Sequence, residues 1–274
     1  ILNEGYKPVL VEPNIQTYNI NTKLIEEKIN SKTVAILPVH LYGKLCEMDE
    51  IIRIAKKYNL SVIEDCAQAH GAKLNNKHAG TFGDYGSFSF YPTKNLGAVG
   101  DAGGIVINNE KSYEKINALR NYGSNKKYHN QYLGINSRLD EIQALFLNIK
   151  LPYLNKINKH KRKIAKIYFE NLSNELIIPE KESKGFFDVH HIFPVRLNNR
   201  DKLKNYMLKN DIKTEIHYPV APHLQMGYKN ILSGDFPISE KIHETILSLP
   251  ISYITTEDDA YKVCEVINNF FKIM

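Results

Sequence analysis

The chain has 274 residues, of which 43% are hydrophobic and 24% charged, and carries a formal net charge of +6. This is the balance of a soluble globular protein forming one large domain, or a large and a small one, and no apolar run approaches the length of a membrane span. Cys46, Cys66 and Cys264 are widely spaced with no CxxC pair, which argues against a disulfide framework or structural zinc and fits a cytoplasmic protein.

Residues 1–6 lack the basic start and apolar core of a secretory signal. Residues 8–11, 34–39 and 61–63 read as strands, alternating with amphipathic segments at 22–29 and Met48–Tyr58. That alternation predicts βαβ units and a mostly parallel sheet, in which ligands gather beyond the carboxyl ends of the strands. Residues 86–107 hold two short apolar runs punctuated by Gly97, Gly100, Gly103 and Gly104, which serve either tight turns or a ligand held close to backbone. A helix follows at 110–121, then a polar loop at 122–134.

A second helix is expected to open at Ser137 and Asp140, in capping-box spacing, with Leu139, Ile142, Phe146 and Ile149 on one face. Asn136 and Ser137 would then lie where free N–H groups can meet an anion. Pro152 ends the pattern, and 153–172 reads as a long basic helix connecting a large domain, 1–152, to a smaller α+β domain, 173–274. Its lysines, Lys161 among them, read as a solvated face rather than a nucleic-acid surface. The smaller domain is predicted to hold strands at 189–197 and 213–217 and helices at Arg200–Lys209 and 256–271.

Two residues suggest chemistry. Lys94 sits in Ser89-Phe90-Tyr91-Pro92-Thr93-Lys94-Asn95-Leu96-Gly97, and Asp65 ends a strand. A buried lysine loses its proton readily and can form an imine with a carbonyl cofactor. Pyridoxal phosphate is the common partner of such a lysine, and its ring nitrogen needs a carboxylate, for which Asp65 is the candidate. His190, His191, His217 and His223 invite a metal reading, but their spacing matches no metal motif and no metal is expected. His40 and His70 read as buried, hydrogen-bonded structural residues.

Ordered blocks along nearly the whole chain carry a resemblance. They are Pro38-Val39-His40-Leu41-Tyr42-Gly43, Glu64-Asp65-Cys66-Ala67-Gln68-Ala69-His70-Gly71-Ala72, Gly80-Thr81-Phe82-Gly83-Asp84, the Lys94 run, Asn136-Ser137-Arg138-Leu139-Asp140-Glu141 and His217-Tyr218-Pro219. Together they resemble the DegT/DnrJ/EryC1/StrS family of sugar aminotransferases. The resemblance implies an aspartate-aminotransferase-like α/β fold (fold type I) and a pyridoxal 5'-phosphate cofactor. It also implies a homodimer with shared active sites, without nucleic acid or membrane.

By the same resemblance, Lys94 forms the imine and moves the proton, while Asp65 faces the ring nitrogen. Gln68 packs by the ring, Ser89 binds the phosphate, and Asn136 reaches the phosphate of the other subunit. Arg138, His217 and Tyr218 contact the nucleotide-sugar, joined by His223, and Tyr91 either lines the sugar pocket or packs. Without the resemblance, Gln68 reads as a turn cap, and Asn136 and Arg138 as helix capping and surface charge.

The family's N-terminal phosphate-binding and ring-covering segment is absent here, so the chain is expected to be a fragment or to begin late. The implied reaction moves the amino group of L-glutamate to a nucleotide-linked keto-sugar. The run from His217 to Gln225 is similar to that of members acting on dTDP-linked 3-keto-6-deoxyhexoses, giving a 3-amino-3,6-dideoxyhexose for lipopolysaccharide, other surface glycan or antibiotic assembly. Amination at carbon 4, a sugar dehydratase and a non-catalytic regulator are the alternatives. Members of the dehydratase type carry His where Lys94 stands.

Overall fold

A computed structural model of the protein describes residues 1–273. The central element is a four-stranded sheet of β1 (Ala35–Ile36), β2 (Ser61–Asp65), β5 (Tyr85–Ser89) and β6 (Gly103–Ile107), in that order. The β1–β2 and β2–β5 pairings are parallel and β5–β6 is antiparallel. The parallel half accords with the predicted βαβ alternation. Between β2 and β5 the chain forms a small ribbon, β3 (Lys73–Leu74) and β4 (Lys77–His78).

Helix α1 (Met48–Tyr58) makes the crossover from β1 to β2. Met48, Ile51, Ile54 and Ala55 fall on one helical face and are buried, each large side chain contributing roughly 1.5–3 kcal/mol. The helix stops at Asn59, whose left-handed φ of 52° lets its N–H cap the Ala55 and Lys56 carbonyls. Residues 8–11, expected as a strand, form none; Pro8 opens the segment and Pro13 follows it, and nearby pairing is a Pro13–Ile20 bridge. The 22–29 segment resolves into two short 3-10 turns, Thr22–Leu24 and Glu26–Lys28.

Beyond β6, α2 (Glu110–Leu119) is capped by Asn109, whose side chain accepts the Ser112 N–H. A two-stranded hairpin, β7 (Ser124–Lys126) and β8 (His129–Asn130), occupies the predicted loop. Helix α3 (Glu141–Lys150) begins later than the sequence suggests, and the expected capping box does not form. Asp140 is its N-cap without a side-chain bond, while Ser137 donates its N–H to the Arg120 carbonyl and Asn136 bridges Asn121. Those bonds hold residues 136–138 extended against the end of α2, so the Ser137 N–H is not free for an anion.

Helix α4 (Leu154–Asn171) follows a 3-10 turn containing Pro152. Its second half, Ile164, Ala165, Ile167 and Tyr168, joins a core built from β10 (Phe193–Arg196), β11 (Ile246–Leu249), α5 (Arg200–Lys209) and α7 (Glu257–Ile273). Strand β9 (Phe186–Phe187) pairs with β3 and ties this region back to the first. The strand predicted over 189–197 is shorter because the chain bends at His190, whose φ is 42°. The strand expected at 213–217 reduces to a Glu215–Ser248 bridge on the edge of β11 away from β10. Neither β11 nor the preceding α6 (Pro237–Thr245) was anticipated.

Candidate active site

Successive residues of a strand face opposite sides, and β2 uses this to separate two neighbouring carboxylates. Glu64 shares the inner face with Val62 and is fully buried. Its Oε1 accepts the N–H groups of Phe82 and Gly83, both at 2.7 Å. Its Oε2 accepts the Gly80 N–H at 2.8 Å and lies 2.9 Å from His40 Nε2. Because the Cys46 N–H donates to His40 Nδ1, the imidazole proton sits on Nε2 and points at Glu64. Burial alone would raise the Glu64 carboxyl, but His40 and the Gly83 and Gly80 N–H groups hold it below its ordinary value.

Glu64 therefore pins residues 80–83 against the end of β2. Gly86 permits the close approach, since a Cβ there would collide with the Gly80 backbone. Asp65, on the other face, is half-buried at the carboxyl end of the strand. Its Oδ1 accepts the Ala67 N–H at 3.0 Å, and Oδ2 has no protein partner among the described residues. Cys66 approaches His40 and Glu64, with ligand-type atoms within 4.8 Å of one another. In that cluster both Glu64 oxygens and His40 Nδ1 already accept N–H groups.

Lys94 lies in a turn after β5, its N–H bonded to the Tyr91 carbonyl at 2.9 Å. Its side chain is half-buried and Nζ makes no hydrogen bond among the described residues. Burial lowers its pKa, and the Asp65 carboxylate pulls it partly back. The amine and the carboxylate thus interact electrostatically at the strand ends. Ser89, where β5 ends, accepts the Tyr91 N–H, and Tyr91 itself is half exposed.

Distant segments converge on the same region. Gln68 is buried, accepts the Tyr42 N–H at 2.6 Å and donates to Tyr218 Oη at 3.3 Å. Tyr42 Oη donates to the His217 carbonyl, and His217 Nδ1 meets Ser248 Oγ at 2.9 Å. Burial lowers the His217 pKa, Glu215 partly offsets this, and the Lys94 charge adds to the lowering. Asp65, Gln68, Ser89, Lys94, His217 and Tyr218 therefore form one neighbourhood. His223 stands apart, buried against the Phe236 ring and 2.9 Å from Glu240. Asn136 and Arg138 are exposed beside the β7–β8 hairpin, where Arg138 binds Asn121 and covers the Tyr122 ring.

Three expectations need correction. His70 is buried as predicted, yet although it lies against Ser89, neither ring nitrogen makes a well-formed hydrogen bond among the described residues. Its pKa is lowered to about 4, chiefly by burial. His190 and His191, expected within the 189–197 strand, instead lie partly buried in the bend before β10, with His191 pushed down to about 2 by burial and the nearby Lys161 and Lys94. Lys161 is not a solvated residue but 4% exposed. The signal was present, since 161, 164, 165 and 168 share one helical face. Glu64 was legible too, as a carboxylate in register with core Val62.

The amine, the carboxylate and the neighbouring hydroxyl suit the aldehyde, ring nitrogen and phosphate of pyridoxal phosphate, and the mixed sheet is that of the fold type I enzymes. Fold and site together define a pyridoxal-phosphate-dependent transaminase.

The chain belongs to the DegT/DnrJ/EryC1/StrS aminotransferase family, whose pattern matches residues 1–268. It is 50% identical over 266 residues to the dTDP-3-amino-3,6-dideoxy-alpha-D-galactopyranose transaminase of Aneurinibacillus thermoaerophilus, covering 97% of this chain and 73% of that one. The structure of DesV from S. venezuelae in complex with a ketimine intermediate superposes with a TM-score of 0.93 at 36% identity, covering 96% of this chain and 72% of DesV. NtdA from Bacillus subtilis with bound cofactor PMP gives 0.91 at 30% identity, over 99% of this chain and 64% of NtdA.

Proposed function

We propose that this chain transfers the amino group of L-glutamate to a nucleotide-linked keto-sugar. The proposed acceptor is a dTDP-linked 3-keto-6-deoxyhexose and the product a dTDP-3-amino-3,6-dideoxyhexose. The observation that carries this reading is the unpaired, half-buried Lys94 amine within electrostatic reach of Asp65, in a chain half identical to a transaminase of that sugar class.

Pyridoxal phosphate, when bound, supplies an aldehyde that takes up an amine and a ring that withdraws electrons from the adjacent carbon. Lys94 is the residue that would hold the group through its amine, and its lowered pKa makes the free base available closer to neutrality. With the cofactor bound, the Lys94 Nζ would be the group placed to take and return a proton beside it. The Asp65 carboxylate would favour a proton on the ring nitrogen, since an ionised neighbour favours the cation. Gln68, fixed at both ends by Tyr42 and Tyr218, would pack beside the ring, and Ser89 would hold the phosphate. His217, Tyr218, Tyr91 and Arg138 contact the nucleotide-sugar.

Asn136 of a second copy completes the phosphate site. Support for a homodimer comes from the exposed apolar stripe of α3, with Ile142, Leu145, Phe146 and Ile149. The test supplies the protein with L-glutamate, pyridoxal phosphate and 3-keto or 4-keto dTDP-sugars, and follows products by mass. Amination of the 3-keto substrate with 2-oxoglutarate release is expected. Amination confined to the 4-keto substrates removes the regiochemistry, and no amine transfer at all removes the reading.

A further inference from the structure

Lys161 is a buried cation with no carboxylate within ion-pair distance among the described residues, although exposed lysines on the same helix have them. Its Nζ donates to Asn95 Oδ1 at 2.8 Å and to the His191 carbonyl at 3.0 Å. Asn95 is the residue after Lys94. Its amide nitrogen donates to Asn158 Oδ1 at 2.9 Å and to the Val189 carbonyl at 3.0 Å, while Asn158 donates onward to the His70 carbonyl.

The orientation of the Asn95 amide follows from these partners. Two carbonyl-type oxygens on one side demand the NH₂ there, which leaves Oδ1 facing the Lys161 amine. Asn95 is 5% exposed, so without Lys161 its Oδ1 has no bulk water to turn to and keeps only the longer 3.4 Å approach of His191 Nδ1. The network joins α4, the bend before β10 and the turn bearing Lys94.

We propose that Lys161 is a positioning residue for Lys94, fixing Asn95 and through it the turn from which the Lys94 amine reaches the site. This rests on the reading of Lys94 as the cofactor-binding amine. Burial lowers the Lys161 pKa to about 7. A neutral amine still has two N–H donors, so both of its bonds can persist when the proton leaves, and the clamp does not depend on charge.

The test uses Lys161→Met, which keeps the unbranched side chain out to the ε position and removes the amine donor, with Lys163→Met on the exposed face as control. The first readout is the labelling rate of Lys94 by an amine-reactive acylating reagent in the cofactor-free protein, followed by peptide mass spectrometry. The second is pyridoxal phosphate affinity, followed by absorbance. In Lys161→Met the labelling of Lys94 is expected to rise several-fold relative to exposed lysines, and kcat to fall on the order of 10- to 100-fold with a smaller change in KM. Lys163→Met is expected to behave as wild type. A folded Lys161→Met with wild-type Lys94 labelling and cofactor affinity overturns the proposal.

If Lys161→Met does not fold, Asn95→Ala severs the link from the other end. Altered Lys94 labelling there supports the clamp, and unaltered labelling, or loss of fold in this variant too, assigns the network to the core alone and overturns it. Borohydride fixation of pyridoxal phosphate to wild-type Lys94 distinguishes failure of this inference from failure of the reading beneath it.

Discussion

Replacing Glu64 by Gln changes one atom in a fully buried group and should unsettle the wall on which Asp65 stands. The carboxylate serves four donors, two on each oxygen: the Phe82 and Gly83 N–H groups, then the Gly80 N–H and His40 Nε2. An amide has one acceptor oxygen, so in either orientation its NH₂ meets two donors. His40 cannot rescue the arrangement by changing tautomer, because Nδ1 would then confront the Cys46 N–H. Two buried donors left unmet at about 1–3 kcal/mol each give a loss of about 2–6 kcal/mol. At roughly 2–4 °C per kcal/mol for a chain of this class, Tm should fall by roughly 5–20 °C.

The assay is urea and thermal unfolding of both proteins over a pH series. Glu64 titrates below its ordinary value of 4.5 when folded, so its contribution is complete above that value and fades as pH falls through the folded one. Wild type should show this part of the acid limb and Glu64→Gln should lack it. A Tm within about 1 °C of wild type and an identical acid limb would refute the argument.

Other outcomes follow from the same geometry. Lys94→Ala should keep the far-UV circular dichroism of wild type and lose 2-oxoglutarate release by on the order of 10²–10⁴-fold or more, measured in the coupled glutamate reaction. Asp65→Asn keeps the shape and removes the charge, and should reduce the same rate by on the order of 10²–10³-fold without a matching loss of stability. His70 and His191, neutral when folded down to about 4 and about 2, gain protons on unfolding below their ordinary value of 6.5. Stability should therefore decline as pH falls from 6.5 toward 4, by up to about 1.4 kcal/mol per pH unit for each, and chemical denaturation across that range reads the slope. Ile142→Glu, on the exposed stripe of α3, should move sedimentation from dimer to monomer and abolish activity together with it.

The elements that were legible in the sequence are those with strong local signals. Met48–Tyr58 and Arg200–Lys209 match their helices because apolar spacing and terminal residues agree there. Asp65 was placed at a strand end because a short β-branched run stops just before it. Elements set by tertiary partners were harder to see. Ser137 and Asp140 have capping-box spacing, yet the end of α2 captures the Ser137 N–H first. Lys161 reads as one of several surface lysines until Asn95, far away in sequence, supplies its acceptor. The joining of Gln68 to Tyr218 spans 150 residues, and no local pattern announces it.

The central claim is a covalent bond between pyridoxal phosphate and Lys94 in a pocket where Asp65 faces the ring. Borohydride reduction of the cofactor-loaded protein, followed by proteolysis and mass spectrometry, tests it most directly. A stable pyridoxyl group is expected on the peptide carrying Lys94, and is expected to be absent from that peptide in Lys94→Ala. Reduction that leaves the Lys94 peptide unmodified, or places the group on another lysine, contradicts it.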